Sequence, residues 1–214
     1  SAEDVYNSVG FTGALNSGYL TAGDIKYQDT NGDGQITDAD KRRLGKSGKP
    51  RGQFGINLNM SYKGFYLSAL FQGSTKFNMY VAGSLGMQTG QTYGMPVAYD
   101  YQTDFWTPDN RDAQYPRLMA NTALNQNNNY ASSDFWLING AYLRMKDFQF
   151  GYDFKYSLLK NVSWLTRCKM GISGQNIFTI SQATKYGMDP EPSDTNYYGY
   201  PVERTIALTL NLGF

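Results

Sequence analysis

The oxygen-bearing side chains between positions 29 and 40 have the clearest capacity for chemistry in this sequence. The run DTNGDGQITDAD fits the calcium-loop pattern D-x-[DN]-x-[DN]-G, with an acidic residue at its twelfth position. Gly34 stands where such loops turn sharply, and Ca²⁺ prefers six to eight oxygen ligands. We therefore expect Ca²⁺ as a structural cofactor, bound with a Kd of roughly 10⁻⁴–10⁻³ M. The expected ligands are the side chains of Asp29, Asn31, Asp33 and Asp40 and the backbone carbonyl of Gln35.

Two features set this run apart from a calcium sensor. The twelfth residue is Asp40 rather than the longer Glu, and the flanking sequence lacks a helical pattern. The alternative interpretation is a surface turn, rich in Asp, Asn and Gly, that binds nothing.

Composition excludes most other chemistry. The chain has no histidine, a single cysteine (Cys168) and a net charge of +1. These counts exclude histidine-dependent catalysis, histidine metal sites and an intramolecular disulfide. A near-neutral chain also lacks the basic face of a nucleic-acid-binding protein. The carboxylates of Asp189 and Glu191 stand in a proline-flanked loop with no sign of a cleft between them, so we expect no enzymatic activity.

Alternation of apolar and polar residues predicts five β-strands and an all-β chain. It is clearest over 53–62 and over the terminal strand at 203–214. Lys63 and Gly64 predict a tight turn after the first strand, and further strands are predicted at 65–72, 141–154 and about 167–179. Within 141–154 the alternation slips at Lys146 and Asp147, which predicts a β-bulge. Residues 75–139 and 181–202 are predicted to be long loops.

The predicted strands resemble membrane strands more than those of a soluble sandwich. Strands of ten or more alternating residues match the 9–11 that cross a bilayer, whereas soluble strands average about five or six. Short and long connections alternate, as in bacterial outer-membrane barrels. Five strands cannot close a barrel in lipid, because open edges would leave backbone groups unpaired. The remainder of the barrel must therefore come from another segment, chain or copy.

Motifs spread along the chain resemble SusC/RagA-like TonB-dependent outer-membrane transporters. Each motif is weak alone, but together they are specific and follow the family's order. They are GDIKYQDTNGDG at 23–34, YKGF at 62–65, QG at 72–73, FWTPDN at 105–110, YPR at 115–117, YLRMK at 142–146, GQNIFT at 174–179, DPE at 189–191 and LGF at 212–214.

The resemblance implies that residues 1–214 are the C-terminal part of a receptor β-barrel, supplying about five to six antiparallel strands of a larger, 22-stranded wall. It places the chain in the outer membrane. A calcium-type loop (24–50) and long loops (75–139 and 181–202) are then expected outside the cell. It implies import of an oligosaccharide, with a peptide as the alternative. The implied partners are a SusD-like surface lipoprotein, the TonB complex (through a plug not contained in this chain), the remaining barrel and outer-membrane lipid.

Aromatic residues on the external loops could stack on sugar rings. Trp106, Trp136, Tyr115 and Tyr130 are the candidate substrate-binding residues. The alternative is that Trp106 and Trp136 pack the loop on itself or against the lipoprotein.

Charged residues of the loops and of the 141–154 strand are expected to act structurally. Arg117 and Asp109 are expected to tie the loop together. Tyr142, Arg144 and Lys146 share one strand face, where we expect them to pair with carboxylates of the plug.

Two other functions are open to this sequence. One is a secreted, calcium-stabilised β-sandwich that binds glycans, in which the apolar strand faces would meet a second sheet. The other is a passive diffusion porin.

Overall fold

The structure is a computed structural model that describes residues 2–8, 10–11, 20–45, 47–81, 103–118, 128–191 and 202–214. The chain divides into two compact units. The first comprises residues 1–46 and 80–137, and the second comprises residues 47–79 and 138–214. No helix among the described residues is long and apolar enough to cross a membrane.

The second unit is built on a long antiparallel sheet whose five main strands follow chain order. Neighbours along the chain are neighbours in the sheet, which is the order of an up-and-down meander. A short strand, β9, pairs with the start of β7. The strands are β3 (Gly52–Tyr62), β4 (Phe65–Thr75), β7 (Tyr142–Asp153), β8 (Arg167–Gln175), β9 (Thr179–Ser181) and β10 (Thr205–Gly213).

The first unit contains little regular structure in its described residues. A short helix, α1 (Ala2–Tyr6), precedes β1 (Gly10–Phe11), which pairs in parallel with β2 (Gln35–Ile36). Short 3₁₀ turns occur at Asp38–Asp40, Asn128–Tyr130 and Asp134–Trp136.

The register of the main sheet places the apolar residues of all five strands on one face. Leu58 lies opposite Ala69, which lies opposite Phe148, and Ile172 lies opposite Leu208. Directly opposed residues project to the same side of a sheet, so the alternation seen in each strand adds up across strands. The apolar members that are exposed on this face are Phe54, Ile56, Leu58, Met60, Tyr62, Phe65, Phe150, Met170, Ile172, Ile206, Leu208, Leu210 and Leu212.

Exposure of this apolar face decides between the membrane and sandwich interpretations. Leu208 is 86% exposed and Ile206 is 67% exposed, in the middle of a regular strand. In a sandwich these side chains would be buried against a second sheet. The described residues place no second sheet over them, so the face is the kind that lipid covers.

The two strand-level details predicted from sequence are confirmed. Lys63 and Gly64 join β3 to β4 with φ of 47° and 89°, the positive values that a two-residue hairpin turn requires. On β7, Asp147 pairs with Leu70 and Met145 pairs with Phe71, so Lys146 is the extra residue of a β-bulge.

Two predicted boundaries need correction. Residues 75–139 are not wholly irregular, because β5 (Asn78–Tyr80) pairs with β6 (Leu137–Asn139). The predicted strand at 167–179 is interrupted at Asn176, whose φ is 51°. After that break the chain no longer continues β8. It forms a separate short strand, β9, which pairs with the start of β7.

The all-β, antiparallel class is confirmed by this architecture. Both short connections, at 63–64 and 154–166, join the same ends of the strands, and both long connections lie at the other end. This is the rhythm that barrels show when one rim carries turns and the other carries loops.

Arginine placed at position 58 or 57 distinguishes the two faces of β3. Leu58→Arg should destabilise the intact protein in a bilayer by about 2–4 kcal/mol, because the charge would enter lipid near the middle of the strand. Asn57→Arg, on the other face, should change stability by much less. Denaturant unfolding in liposomes measures both variants, and equal losses would contradict the assignment of the apolar face to lipid.

Candidate functional site

The polar face of β7 carries a charged cluster that reaches into the following loop. Arg144 makes ion pairs with Asp189, at 2.7 Å, and with Glu191. Its Nε also donates to the hydroxyl of Thr179 on β9 at 2.8 Å. Lys146 adds a second cation, with its Nζ 2.8 Å from Oε1 of Glu191. We call these five residues the Arg144 cluster.

The Arg144 cluster holds the loop against the wall. The Arg144 side chain is only 3% exposed, while its two carboxylate partners are 18% and 27% exposed. A guanidinium this deeply buried is tolerated because two carboxylates and a hydroxyl satisfy its donors. We predicted that Arg144 and Lys146 would pair with carboxylates of a plug, and this is wrong: their partners lie 45 to 47 residues further along the same chain.

In the first unit, a second polar cluster joins three segments that are distant in sequence. Arg117 binds both carboxylate oxygens of Asp24, at 2.7 Å from Nε and 3.1 Å from Nη2. The Asp24 side chain is 3% exposed and also accepts from the side-chain amide of Asn129 at 2.9 Å. The sequence-based expectation that Arg117 ties its loop together agrees with this bidentate pair, although Asp24 was not identified as its partner.

Asn128 and Asn129 form the centre of this cluster and are both fully buried. The Asn129 side chain accepts from the Ile25 backbone N–H at 2.8 Å, and the Asn128 side chain donates to the Ile25 carbonyl at 3.0 Å. The Tyr27 hydroxyl donates to the Asn128 carbonyl at 2.6 Å, and burial raises the pKa of Tyr27 to about 12. The two side-chain amides thus supply the hydrogen bonds that a neighbouring strand would otherwise make with the backbone of Ile25. Asn128 and Asn129 end a low-complexity run at 125–129, and nothing in that run indicates which of its residues are buried.

Of the three candidate substrate-binding aromatics whose side chains the structure describes, Trp136 is the most enclosed. It is 3% exposed, its indole N–H donates to the Asn129 carbonyl at 2.7 Å, and Tyr115 stacks near it at 6.5 Å. Trp106 is half-buried and covers Gly23, where a β-carbon would overlap its ring. The burial of Trp136 agrees with the alternative that this side chain packs the loop, and the half-buried Trp106 stays a candidate for substrate binding. The side chain of Tyr130 lies outside the described residues.

The calcium-type loop closes on itself through its own amides. Asp29 accepts from the backbone N–H groups of Gly32 and Gly34, at 2.6 and 2.8 Å, and Asp33 accepts from that of Gln35 at 2.9 Å. The Asn31 side chain bonds to Asp33. Within the described part of the chain, no three His, Cys, Asp or Glu side chains converge closely enough to hold a metal.

Asp40, the twelfth residue of the loop, is buried and turned toward backbone donors. Its two oxygens accept from the N–H groups of Thr37 at 2.7 Å and Thr30 at 2.9 Å, and more distantly from Asn31. These hydrogen bonds, that of Thr37 first, lower the pKa of Asp40 below its ordinary value. Asp40 therefore joins the two ends of the loop.

This chain is similar in sequence to known proteins over most of its length. No protein-family model matches it. It is 28% identical over 213 residues to TonB-dependent receptor P3 of Formosa agariphila, covering 92% of this chain and 20% of that protein. It is also 28% identical over 205 residues to TonB-dependent receptor P26 of the same organism, covering 90% of this chain. The chain spans about one fifth of the length of these relatives.

Solved structures share the fold of this chain. The RagAB peptide importer in the closed-closed state matches 85% of this chain with a TM-score of 0.61 and 21% identity. The open-open state matches 89% of this chain with a TM-score of 0.58. The resemblance to SusC/RagA-like TonB-dependent transporters is confirmed. The outer-membrane localisation is confirmed with it, while the assignment of residues 1–214 to the C-terminal end of a receptor barrel stays a prediction.

Removing the buried guanidinium of Arg144 should release the loop that carries Asp189 and Glu191. Arg144→Gln leaves Asp189 and Glu191 without their main partner, and we expect a loss of about 3–5 kcal/mol. Thermal unfolding of the intact transporter measures this loss, and limited proteolysis should show new cleavage near 188–191. Lys169→Gln, which breaks an exposed 4.0 Å pair with Asp153, should cost at most about 1 kcal/mol. Equal effects of the two variants would show that the Arg144 cluster has no special role.

The calcium-type loop should open in acid. Since the pKa of Asp40 is lowered by folding, its contribution to stability is present above its ordinary value of 3.8 and is lost as pH falls through the lowered value. Amide exchange protection of Thr30 and Thr37 should therefore decrease below about pH 4. Asp40→Asn should reduce protection already at neutral pH. Asp38→Asn, at an exposed carboxylate, is the control and should behave as wild type.

Proposed function

We propose that this chain is a wall-and-loop segment of an outer-membrane nutrient importer. One observation carries the proposal: an exposed apolar face continues across five strands in register, with a polar face behind it. Lipid covers the apolar face, and the polar face lines the interior through which solute passes.

The open edges of the sheet require further wall strands. Among the described residues, the outer edges of β3 and β10 have no strand partner. Unpaired backbone groups are not tolerated in hydrocarbon, so neighbouring strands must complete the wall. We propose that these strands belong to the same transporter, in a closed barrel of 22 strands.

The proposed partners follow from the transporter as a whole. A SusD-like surface lipoprotein would cover the external loops, and the TonB complex would supply energy through a plug outside this sequence. The TonB-dependent receptors and the RagAB importer that this chain resembles support these partners. Energised uptake separates this proposal from a passive porin.

We propose an oligosaccharide as the solute, contacted by Tyr115 and Trp106, which are both half-exposed. A peptide is the second candidate, because the matching solved structures are those of the RagAB peptide importer and the RagAB peptide transporter. The Arg144 cluster fixes the loop that follows β9 and so helps to shape the rim around either solute.

Uptake by cells tests the importer and its solute together. A strain lacking the intact transporter, and the same strain carrying it, would be given labelled oligosaccharide and labelled peptide pools. We expect uptake of the oligosaccharide only in the complemented strain, abolished by an uncoupler of the proton-motive force. Uptake of peptide alone would favour the second solute. Uptake insensitive to the uncoupler would favour the porin, and no uptake of either pool would contradict the proposal.

We also propose that the loop at 29–40 binds Ca²⁺ weakly. Its ligands would be the side chains of Asp29, Asn31, Asp33 and Asp40 and the Gln35 carbonyl, all of them hard oxygen donors of the kind Ca²⁺ prefers. Gly34 has a φ of 77°, which supports the sharp turn expected within such a loop. Ca²⁺ would compete with backbone amides for these oxygens, which supports the modest affinity expected from sequence.

Calorimetric titration of Ca²⁺ into the intact transporter tests this site. We expect saturable heat with a Kd of roughly 10⁻⁴–10⁻³ M for wild type, lost in Asp33→Asn. Asp109→Asn, outside the loop, is the matched control and should titrate as wild type. Absence of Ca²⁺ heat in the wild-type protein would leave the loop as a self-bonded turn.

A further inference from the structure

The turn end of the main sheet carries large apolar side chains that the fold itself does not cover. Leu158 is 78% exposed, Trp164 is 67% exposed and Phe214 is 79% exposed. Trp164 and Phe214 stack with their rings 5.9 Å apart and nearly parallel, at 6°. Because Phe214 continues the even-numbered alternation of β10, the pair extends the apolar face of the sheet.

The turn that carries these side chains is firmly built. The Lys155 ammonium donates to the carbonyls of Leu159 and Val162, at 3.3 and 2.8 Å, and Asp153 caps the 3₁₀ turn at Phe154–Tyr156. Leu165 is buried beside the exposed Trp164. The exposed rings are therefore held in place rather than projecting from a loose loop.

Aromatic rings continue along the same rim toward β3 and β4. Phe65 packs edge-on against Tyr152 at 4.7 Å, and Tyr152 packs edge-on against Phe154 at 5.3 Å. Tyr62 is exposed, with the Lys63 ammonium 5.2 Å from its ring centre. Amphipathic rings in such a band suit the depth of lipid head groups, between water and hydrocarbon.

Charge at this rim is strongly one-sided. Along 61–66, 150–170 and 210–214 the only acidic side chain is that of Asp153, which caps the 3₁₀ turn. The cationic side chains along the same stretches are Lys63, Lys155, Lys160, Arg167 and Lys169. Arg167 and Lys169 belong to the polar face of β8, so the exposed Lys63 and Lys160 of the two turns are the cations that can reach phosphates just beyond the aromatic band.

We propose that this rim binds the anionic phospholipids of the adjoining leaflet. Trp164, Phe214 and Leu158 enter the region of the ester groups, and Lys63 and Lys160 contact the phosphates. Continuity with the lipid-facing side of the sheet and complementary charge both select a lipid surface as the occupant. The inference rests on the membrane placement in the proposed function, but a transporter that binds these lipids and imports neither solute would contradict only the import proposal.

Lipid retention tests the charged part of the rim. The intact transporter, delipidated in neutral detergent, would be mixed with phosphatidylglycerol or phosphatidylcholine, and bound lipid counted by native mass spectrometry. We expect wild type to retain phosphatidylglycerol selectively and the Lys63→Gln/Lys160→Gln variant to retain at least threefold less. Lys49→Gln/Lys185→Gln, with two exposed lysines at the loop end, is the control and should match wild type. Equal retention in all three proteins, or displacement by millimolar glycerol phosphate, would overturn the proposal.

Fluorescence tests the aromatic part independently. The difference in emission between wild type and Trp164→Phe, in phosphatidylglycerol liposomes, reports the environment of Trp164. We expect acyl chains brominated near the ester groups to quench this difference signal at least twofold. An unquenched signal would show that Trp164 faces water or a protein partner, and the proposal would be wrong.

Discussion

Backbone hydrogen bonding is the constraint on which the rest of this structure depends. In lipid, every N–H and C=O of a strand must be paired, and only neighbouring strands can supply the partners. The ladders from β3 through β10 meet this demand over nine or more residues per strand in most pairings. Once the ladders are fixed, side chains can project only to two faces, and the period-two pattern determines which face meets lipid.

The same constraint explains how a buried charge comes to lie on the wall. On the polar face, the Arg144 side chain is almost wholly buried. Two carboxylates and a hydroxyl accept hydrogen bonds from its guanidinium in place of water. The bulge at Lys146 shifts the strand by one residue and lets Lys146 reach Glu191 as well. The β-bulge thus places Lys146 beside Arg144, where both cations contact the loop that carries Glu191.

The sequence predicted well where a pattern is repeated and poorly where a contact is unique. Five strands, one hairpin turn and one bulge follow from alternation, because each residue of a strand repeats the same physical requirement. The partners of Arg144 and Arg117 lie 45 or more residues away, and no local periodicity indicates them. Asn128 looks like part of a polar linker, and only its burial shows that it replaces a strand in satisfying Ile25. Trp136 was identified by type alone, which cannot distinguish a ring that packs from one that binds.

The two units therefore depend on different kinds of interaction. The second unit depends on a repeated pattern of apolar side chains, and the first unit depends on specific polar contacts. In the second unit, alternation requires only an apolar side chain at every second position, so the sheet tolerates substitution among apolar residues. In the first unit, Asp24, Arg117 and Asn129 bond to particular atoms, and loss of any one leaves a buried polar group unsatisfied. A wall needs only the pattern, whereas a loop without a ladder needs specific residues. This division lets the sequence of the strands vary, while the conformation of the loops in the first unit depends on a few buried polar side chains.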